Sequence, residues 1–244
     1  MPGAVVTGGS RGIGAAIVRA LAKIDYRVLF TYSGDESGAA EVLATVPGSS
    51  ALRVDGRQPD AAERLIDAAV ETLATIDVLV NSAGIYPHAD LRSLSREELM
   101  DVFRVNVHAP IELVQRVALP MAAAGGGAIV NITSVNAFAP ESGMAAYDAS
   151  KAALAQFTRT AALELGRHAI RVNAVAPGLV ASPGIEEIVP ERVDAFVRAA
   201  PLGRLVSPDE VAQAVVFLAT PASSAITGQT LVVDAGVTLA GYMG

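Results

Sequence analysis

Ala4-Val5-Val6-Thr7-Gly8-Gly9-Ser10-Arg11-Gly12-Ile13-Gly14 is the stretch that decides how this 244-residue chain is built. Its first four residues are apolar or β-branched and read as a strand, and its glycines read as a tight turn. Ile17, Leu21 and Ile24 then recur at helical spacing. Strand, glycine-rich turn and helix in that order make the phosphate cradle of a dinucleotide site. Glycine lets the backbone turn sharply and lets a pyrophosphate approach with no Cβ in the way. The N–H groups of the helix's first turn, with its dipole, then hold the anion. Gly8, Ser10, Arg11, Gly12, Ile13 and Gly14 are therefore candidate cofactor contacts. An ordinary βα turn uses the same residue types, so the cradle needs support from elsewhere in the chain.

Beyond this turn, strand-like and helix-like segments alternate to the carboxyl end, with no linker, repeat or low-complexity run. Strands are expected at Ala4–Thr7, Arg27–Tyr32, Ala51–Val54, Val78–Asn81, Ala128–Thr133, Arg171–Ala176 and Thr230–Val233. Helical patterns lie between them, among them Ala61–Ala74, Leu99–Ala123 and Ala152–Gly166. That order predicts an α/β fold, a doubly wound sheet of about seven parallel strands with helices on both faces. Ser95-Arg96-Glu97-Glu98 and Ser207-Pro208-Asp209-Glu210 read as capping boxes. Only Leu179 to Val206, with Pro183, Pro190 and Pro201, breaks the rhythm. It follows the sixth strand, where ligands bind in such sheets, and is expected to be a substrate-covering lobe on a single domain spanning 1–244.

The composition narrows the classes. A content of 52% apolar residues and a mean hydropathy of +0.43 suit parallel strands covered on both faces. The longest apolar-leaning stretch, Ala118 to Val130, is interrupted by Pro120 and Gly125 to Gly127 and is too short to span a bilayer. With the first strand beginning almost at Met1, no secretory signal is expected. The absence of cysteine excludes disulfides, thiolate metal sites and a cysteine nucleophile, and is compatible with a cytoplasmic location. A net charge of −7 argues against nucleic acid as a partner. His88, His108 and His168 share no metal-ligand spacing, so no metal is expected.

Tyr147 and Lys151 stand four residues apart, which puts them on one face of a helix, with Ser134 a short way upstream. Lowering a phenol from pKa ~10 by roughly 3 pH units takes about 4 kcal/mol. An ammonium about 4 Å away supplies about 4 kcal/mol at an effective dielectric of ~20. The magnitudes match, so the pair can form an acid–base centre in which Lys151 holds the phenol's pKa down; a packed tyrosine beside a solvated lysine has the same spacing, so the pair alone does not decide.

The Thr7-Gly8-x-x-x-Gly12-x-Gly14 spacing, joined to Ser134, Tyr147 and Lys151, resembles the short-chain dehydrogenase/reductase family, and the resemblance spans nearly the whole chain. It implies a Rossmann-type fold and a catalytic set of Asn106, Ser134, Tyr147 and Lys151. In that set Ser134 and Tyr147 bind the carbonyl oxygen, Tyr147 supplies the proton and Lys151 also bonds the cofactor ribose. Asn106 lies mid-helix, where its residue type is a poor choice. The family role is to disturb that helix and hold a water behind the lysine; a bond to its own backbone is compatible. The resemblance also gives Asn81, Ala83 and Gly84 to the adenosine ribose, with Ser82 where the family has asparagine. Pro177, Gly178, Val180 and Ser182 go to the carboxamide. Asp55 reads equally as the family's adenine acceptor or as a helix N-cap before Pro59.

The second strand closes on neutral Tyr32 and Ser33, and Arg11 can meet a phosphate bidentately, so NADP(H) is expected over NAD(H). Asp35 and Glu36 are read as lying past the strand end and pointing to solvent. The closest likeness is to 3-oxoacyl-carrier-protein reductases, which implies reduction of a 3-oxoacyl or other small ketone and a cytoplasmic homotetramer. Against a carrier substrate, Met121 to Gly127 lacks a basic residue, leaving Arg167 as the candidate contact. The alternatives are an NAD-dependent secondary alcohol or polyol dehydrogenase and a catalytically silent nucleotide sensor.

Overall fold

Each of the seven expected runs becomes a strand; the five inner ones are buried on both faces, where β-branched and aliphatic side chains fit the pleated surface, and the two edge runs are partly exposed. The structure, a computed structural model, describes residues 1–240. Its strands are β1 (Gly3–Val6), β2 (Arg27–Tyr32), β3 (Ser50–Arg53), β4 (Val78–Asn81), β5 (Gly127–Ile132), β6 (Ile170–Pro177) and β7 (Thr230–Val233). They form one parallel sheet in the order β3-β2-β1-β4-β5-β6-β7. The Rossmann-type expectation is borne out, with strand ends displaced by a residue or so.

Strand alternation divides the core in two. Ala4, Val6, Val28, Phe30, Val78 and Val80 point to one face, where they meet helices α1 (Gly12–Lys23) and α2 (Glu36–Leu43). Val5, Leu29, Leu79 and Ile129 point to the other, against helix α3 (Ala61–Thr72). Chain order reverses between β1 and β4, so a crevice opens at their carboxyl ends.

The helix expected at Leu99–Ala123 is compound. Helix α4 (Arg96–Phe103) runs into a π-helical turn, Arg104–His108, and then into α5 (Ala109–Ala123). The bulge falls on Asn106, whose amide is claimed by groups outside the helix. Helix α6 (Ala145–Leu165) begins seven residues before the expected Ala152, and so carries both Tyr147 and Lys151. Segment 179–206 is not irregular but holds two short helices, α7 (Ile185–Ile188) and α8 (Pro190–Ala199). Its neck is closed by a bridge between Val180 and Val206, with Ala181 N–H donating to Val206 O at 2.8 Å and Val206 N–H to Leu179 O at 3.1 Å. Helix α9 (Pro208–Ala219) follows and packs on α1. Both capping boxes form, Ser95 with Glu98 and Ser207 with Glu210. No helix of the described residues is long and apolar enough to cross a membrane.

Candidate active site

The glycine turn leaves β1 at the crevice. Gly8 N–H donates to Thr31 Oγ1 at 3.2 Å and Gly9 N–H to Thr31 O at 2.8 Å, so β2 holds the turn open. Gly8 has φ +69°, a conformation that side-chain-bearing residues resist. A Cβ at Gly14 would be driven into the Gly8 carbonyl oxygen. Arg11 precedes α1 without a side-chain cap, leaving the first-turn N–H groups of α1 unclaimed by a side chain. Across the crevice, Thr7 Oγ1 accepts the N–H groups of Ser82 and Ala83, each at 3.0 Å. That fixes Asn81, Ala83 and Gly84 beside the turn.

Two expectations about acids need correcting. Asp35 does not point freely to solvent: it is half-buried and caps α2, accepting the Gly38 N–H at 3.0 Å. Its carboxylate is used locally because α2 begins one residue later. Asp55 is not a helix cap either. It accepts Arg57 N–H at 3.0 Å within a turn, and Asp60 takes the N-cap position of α3.

Below Gly84 the structure brings the four predicted catalytic residues to the strand ends. Asn106, fully buried, accepts Ile85 N–H through Oδ1 at 2.9 Å. Its Nδ2 donates to Ile85 O at 2.9 Å and to Ser150 Oγ at 3.0 Å. It therefore bonds a neighbouring loop and α6, not its own backbone. Lys151, 4% exposed, donates from Nζ to Ile132 O at 2.8 Å, and Nζ stands 5.6 Å from the centre of the Tyr147 ring. A Cβ on Gly84 would lie 3.3 Å from Asn106 Oδ1 and 3.5 Å from Lys151 Nζ, so both groups face the same glycine. Tyr86 meets Tyr147 edge to face, with ring centres 6.2 Å apart. Ser134 ends β5 and bonds Asn136, accepting its N–H at 3.1 Å and donating to Oδ1 at 3.2 Å. Thr133, its neighbour, is turned away to Val175 O at 3.0 Å.

The electrostatics overturn one expectation. In the cofactor-free protein Tyr147 is not held down; burial pushes its phenol up. The Ser134 hydroxyl and the Arg192 charge pull the other way, while Asp148 and Tyr86 push up. Lys151 itself yields, because burial lowers its ammonium to about 8. Desolvation outweighs the attraction between neighbours when both groups are taken from water.

A family model described as enoyl-(acyl-carrier-protein) reductase matches residues 8–238. L-rhamnose 1-dehydrogenase (NAD(P)(+)) of Azotobacter vinelandii is 36% identical, over 96% of this chain and 95% of that one. A 3-oxoacyl-[acyl-carrier-protein] reductase of Synechocystis is 37% identical, over 97% and 96%. A solved short chain dehydrogenase/reductase family protein superposes with a TM-score of 0.88, at 37% identity and 96% coverage of both chains. The chain belongs to the short-chain dehydrogenase/reductase family.

Membership of this family makes the chain an oxidoreductase acting between CH–OH and C=O, and the family uses NAD(P)(H). The residues present fit such a dinucleotide: the Gly8–Gly14 turn can close only with glycine, since a Cβ at Gly8, Gly9 or Gly14 would strike Ala83, Phe30 or the Gly8 carbonyl, and it leads into the first turn of α1, where no side chain caps the N–H groups. Among the described residues no cluster of metal-ligating side chains exists. Arg167, the candidate carrier contact, lies at the amino end of β6 with its Nε on His168, away from the strand carboxyl ends.

Several polar contacts of this short-chain dehydrogenase/reductase are not signalled by the sequence. Asn81 donates to Asn131 Oδ1 at 2.8 Å and Asn131 to Thr158 Oγ1 at 2.9 Å, a buried ladder tying β4, β5 and α6. Asn136, Glu141, Asp148 and Arg192 form a second network beside Tyr147. A groove of about 680 Å³ opens next to it, lined by His88, Asp90, Arg92, Glu141 and Asp148 among others. Asn136 and Glu141 lie in the loop between Ser134 and Tyr147 and Asp148 just follows Tyr147, but the partner on α8 is far off in sequence.

Proposed function

We propose that this protein is an NADPH-dependent reductase converting a small ketone to a secondary alcohol, with Tyr147 as proton donor. The observation that carries the proposal is the buried Lys151 ammonium beside the Tyr147 ring at the strand carboxyl ends. A carbonyl oxygen at this point receives hydrogen bonds from Ser134 Oγ and Tyr147 Oη. Bound nicotinamide dinucleotide supplies hydride to the carbonyl carbon. Tyr147 gives its phenolic proton to the oxygen as negative charge develops there. A phenol pushed up by burial keeps that proton at neutral pH, which suits the reductive direction. Lys151 offsets the phenolate left behind and has N–H groups to spare for ribose hydroxyls. Asn106 fixes Ile85 and Ser150 around it. Segment 179–206 covers the substrate, and the whole described chain acts as one domain.

The preference for NADP(H) rests on charge. The Arg11 side chain is exposed and makes no hydrogen bond or ion pair among the described residues. Tyr32 and Ser33 are neutral, and the Asp35 carboxylate is engaged at α2. Tyr147 and Lys151 join Asp55, Pro177, Gly178, Val180 and Ser182 as further cofactor contacts in this reading. Assembly as a homotetramer through α5 and α6 belongs to the same reading, since Leu119 and Leu163 there are 78% and 84% exposed.

A second reading, an alcohol or polyol dehydrogenase, is favoured by the groove beside Tyr147. Asp90, Glu141 and Asp148 set three carboxylates there against the Arg92 guanidinium, a lining that suits a hydroxyl-rich neutral molecule better than an acidic carrier.

The test is a screen of 3-oxoacyl thioesters, cyclic ketones and polyols, following absorbance with NADPH and with NADH. NADPH should be the better cofactor; equal use of NADH rejects that half of the proposal. Tyr147→Phe should lose on the order of 100-fold or more in turnover while still binding cofactor. Undiminished turnover rejects the mechanism.

A further inference from the structure

Four side chains outside the candidate catalytic set are wired in series beside it. Arg192, on the first turn of α8, donates from Nη2 to Glu141 Oε2 at 2.6 Å. Asn136 Nδ2 reaches the same oxygen at 3.4 Å and Asp148 Oδ1 at 2.8 Å. Asn136 Oδ1 in turn accepts from Ser134 Oγ at 3.2 Å. The Glu141 end is firm, because its own N–H donates to Asp148 Oδ2 at 2.9 Å on α6. The Arg192 end has no second hold: its Nε is buried without a hydrogen-bond partner, and Glu141 is its only acceptor among the described residues. The later half of α8 is held by the apolar cluster of Phe196, Ala200 and Val237, while the beginning of the helix is held by buried Val193 and, as its one ion pair among the described residues, Arg192 with Glu141.

We propose that Arg192 is a positioning residue that fastens segment 179–206 to the reacting centre, acting through Glu141 and Asn136 on Ser134. The proposal rests on the reading of Ser134 and Tyr147 as the reacting pair. Its consequences are nevertheless measured without turnover, so the two fail separately. Tyr147 is faced by Ser134 after β5, Tyr86 after β4, Asp148 and Lys151 on α6, and Arg192 on α8. Of these, Arg192 is the one carried by segment 179–206, and its charge favours the ionised phenol. A segment fastened in place therefore makes the proton easier to release.

The experiment is amide hydrogen exchange over residues 190–199 in the cofactor-free protein, with an ultraviolet titration of the phenols read against Tyr147→Phe. Arg192→Gln and Glu141→Gln should each speed exchange at the start of α8 by roughly fivefold, as expected for loss of one partly exposed ion pair. The double variant should exchange no faster than either single one, and Arg192→Lys should lie between wild type and Arg192→Gln. In the titration Arg192→Gln should move the Tyr147 transition to higher pH, while Arg192→Lys leaves it near wild type. Unchanged exchange in Arg192→Gln, additive effects of the two single changes, or an unmoved Tyr147 transition would each overturn the proposal.

Discussion

Replacing Lys151 with methionine should make the cofactor-free protein more stable at neutral pH while destroying the centre it serves. The ammonium titrates near 8 in the folded protein and at 10.5 ordinarily. At about 1.4 kcal/mol per pH unit, folding is opposed by about 3 kcal/mol at pH 7. Methionine keeps the stem and sheds that penalty, but it leaves the Ile132 carbonyl without the 2.8 Å donor. An unmade bond of this kind costs about 1 to 2 kcal/mol, so the net gain is about 1 to 2 kcal/mol. The sign with pH follows from proton counting. Between about 8 and 10.5 the unfolded chain holds the proton that the folded one has released, so wild-type stability rises across that window. The opposing term falls to about 1.4 kcal/mol at pH 9.5, so between pH 7 and 9.5 wild type should gain about 2 kcal/mol on the variant, enough to close or reverse the gap. Urea unfolding of both proteins at the two pH values measures this. A methionine variant less stable than wild type at pH 7, with a gap that stays flat to pH 9.5, would refute the account of Lys151 as a desolvated cation.

Two further substitutions probe the architecture around it. Asn106→Ala removes three hydrogen bonds at a fully buried position. It leaves the Ile85 N–H and C=O unmatched, while the Ser150 hydroxyl keeps its bond to Tyr147 O, and should cost about 3 kcal/mol in urea unfolding. Gly14→Ala sets a methyl against the Gly8 carbonyl oxygen. The turn must then open, and titration of NADPH fluorescence should register loss of binding even if the protein stays folded.

The sheet is legible in the sequence because its signal is local. Ala4 to Val6, Val78 to Val80 and Ala128 to Val130 are apolar throughout, as strands buried on both faces must be, so no polar alternation is needed to find them. The turn from Gly8 to Gly14 is legible for a steric reason confined to seven residues. Ser134, Asn106, Tyr147 and Lys151 are named through resemblance, and the fold sets them near one another at the strand ends. The direction of the Tyr147 perturbation is not legible, because sequence spacing reports the nearness of Lys151 but not how far both groups are withdrawn from water. Asp35 misleads for a related reason, since its fate depends on where α2 begins. Arg192 lies 51 residues from Glu141, and nothing local to either residue points to the other.

The bridge between Val180 and Val206 has a consequence for how such proteins diversify. Because the two ends of the excursion are stitched to each other, the entropy of closing it is settled at the neck and varies only slowly with the length between. Between Ser182 and Val206 the stretch can therefore be lengthened or shortened without disturbing the register of β6 and β7, provided Arg192 still reaches Glu141. The scaffold keeps one chemistry at the strand ends, and evolution can retailor the cover as an interchangeable cassette.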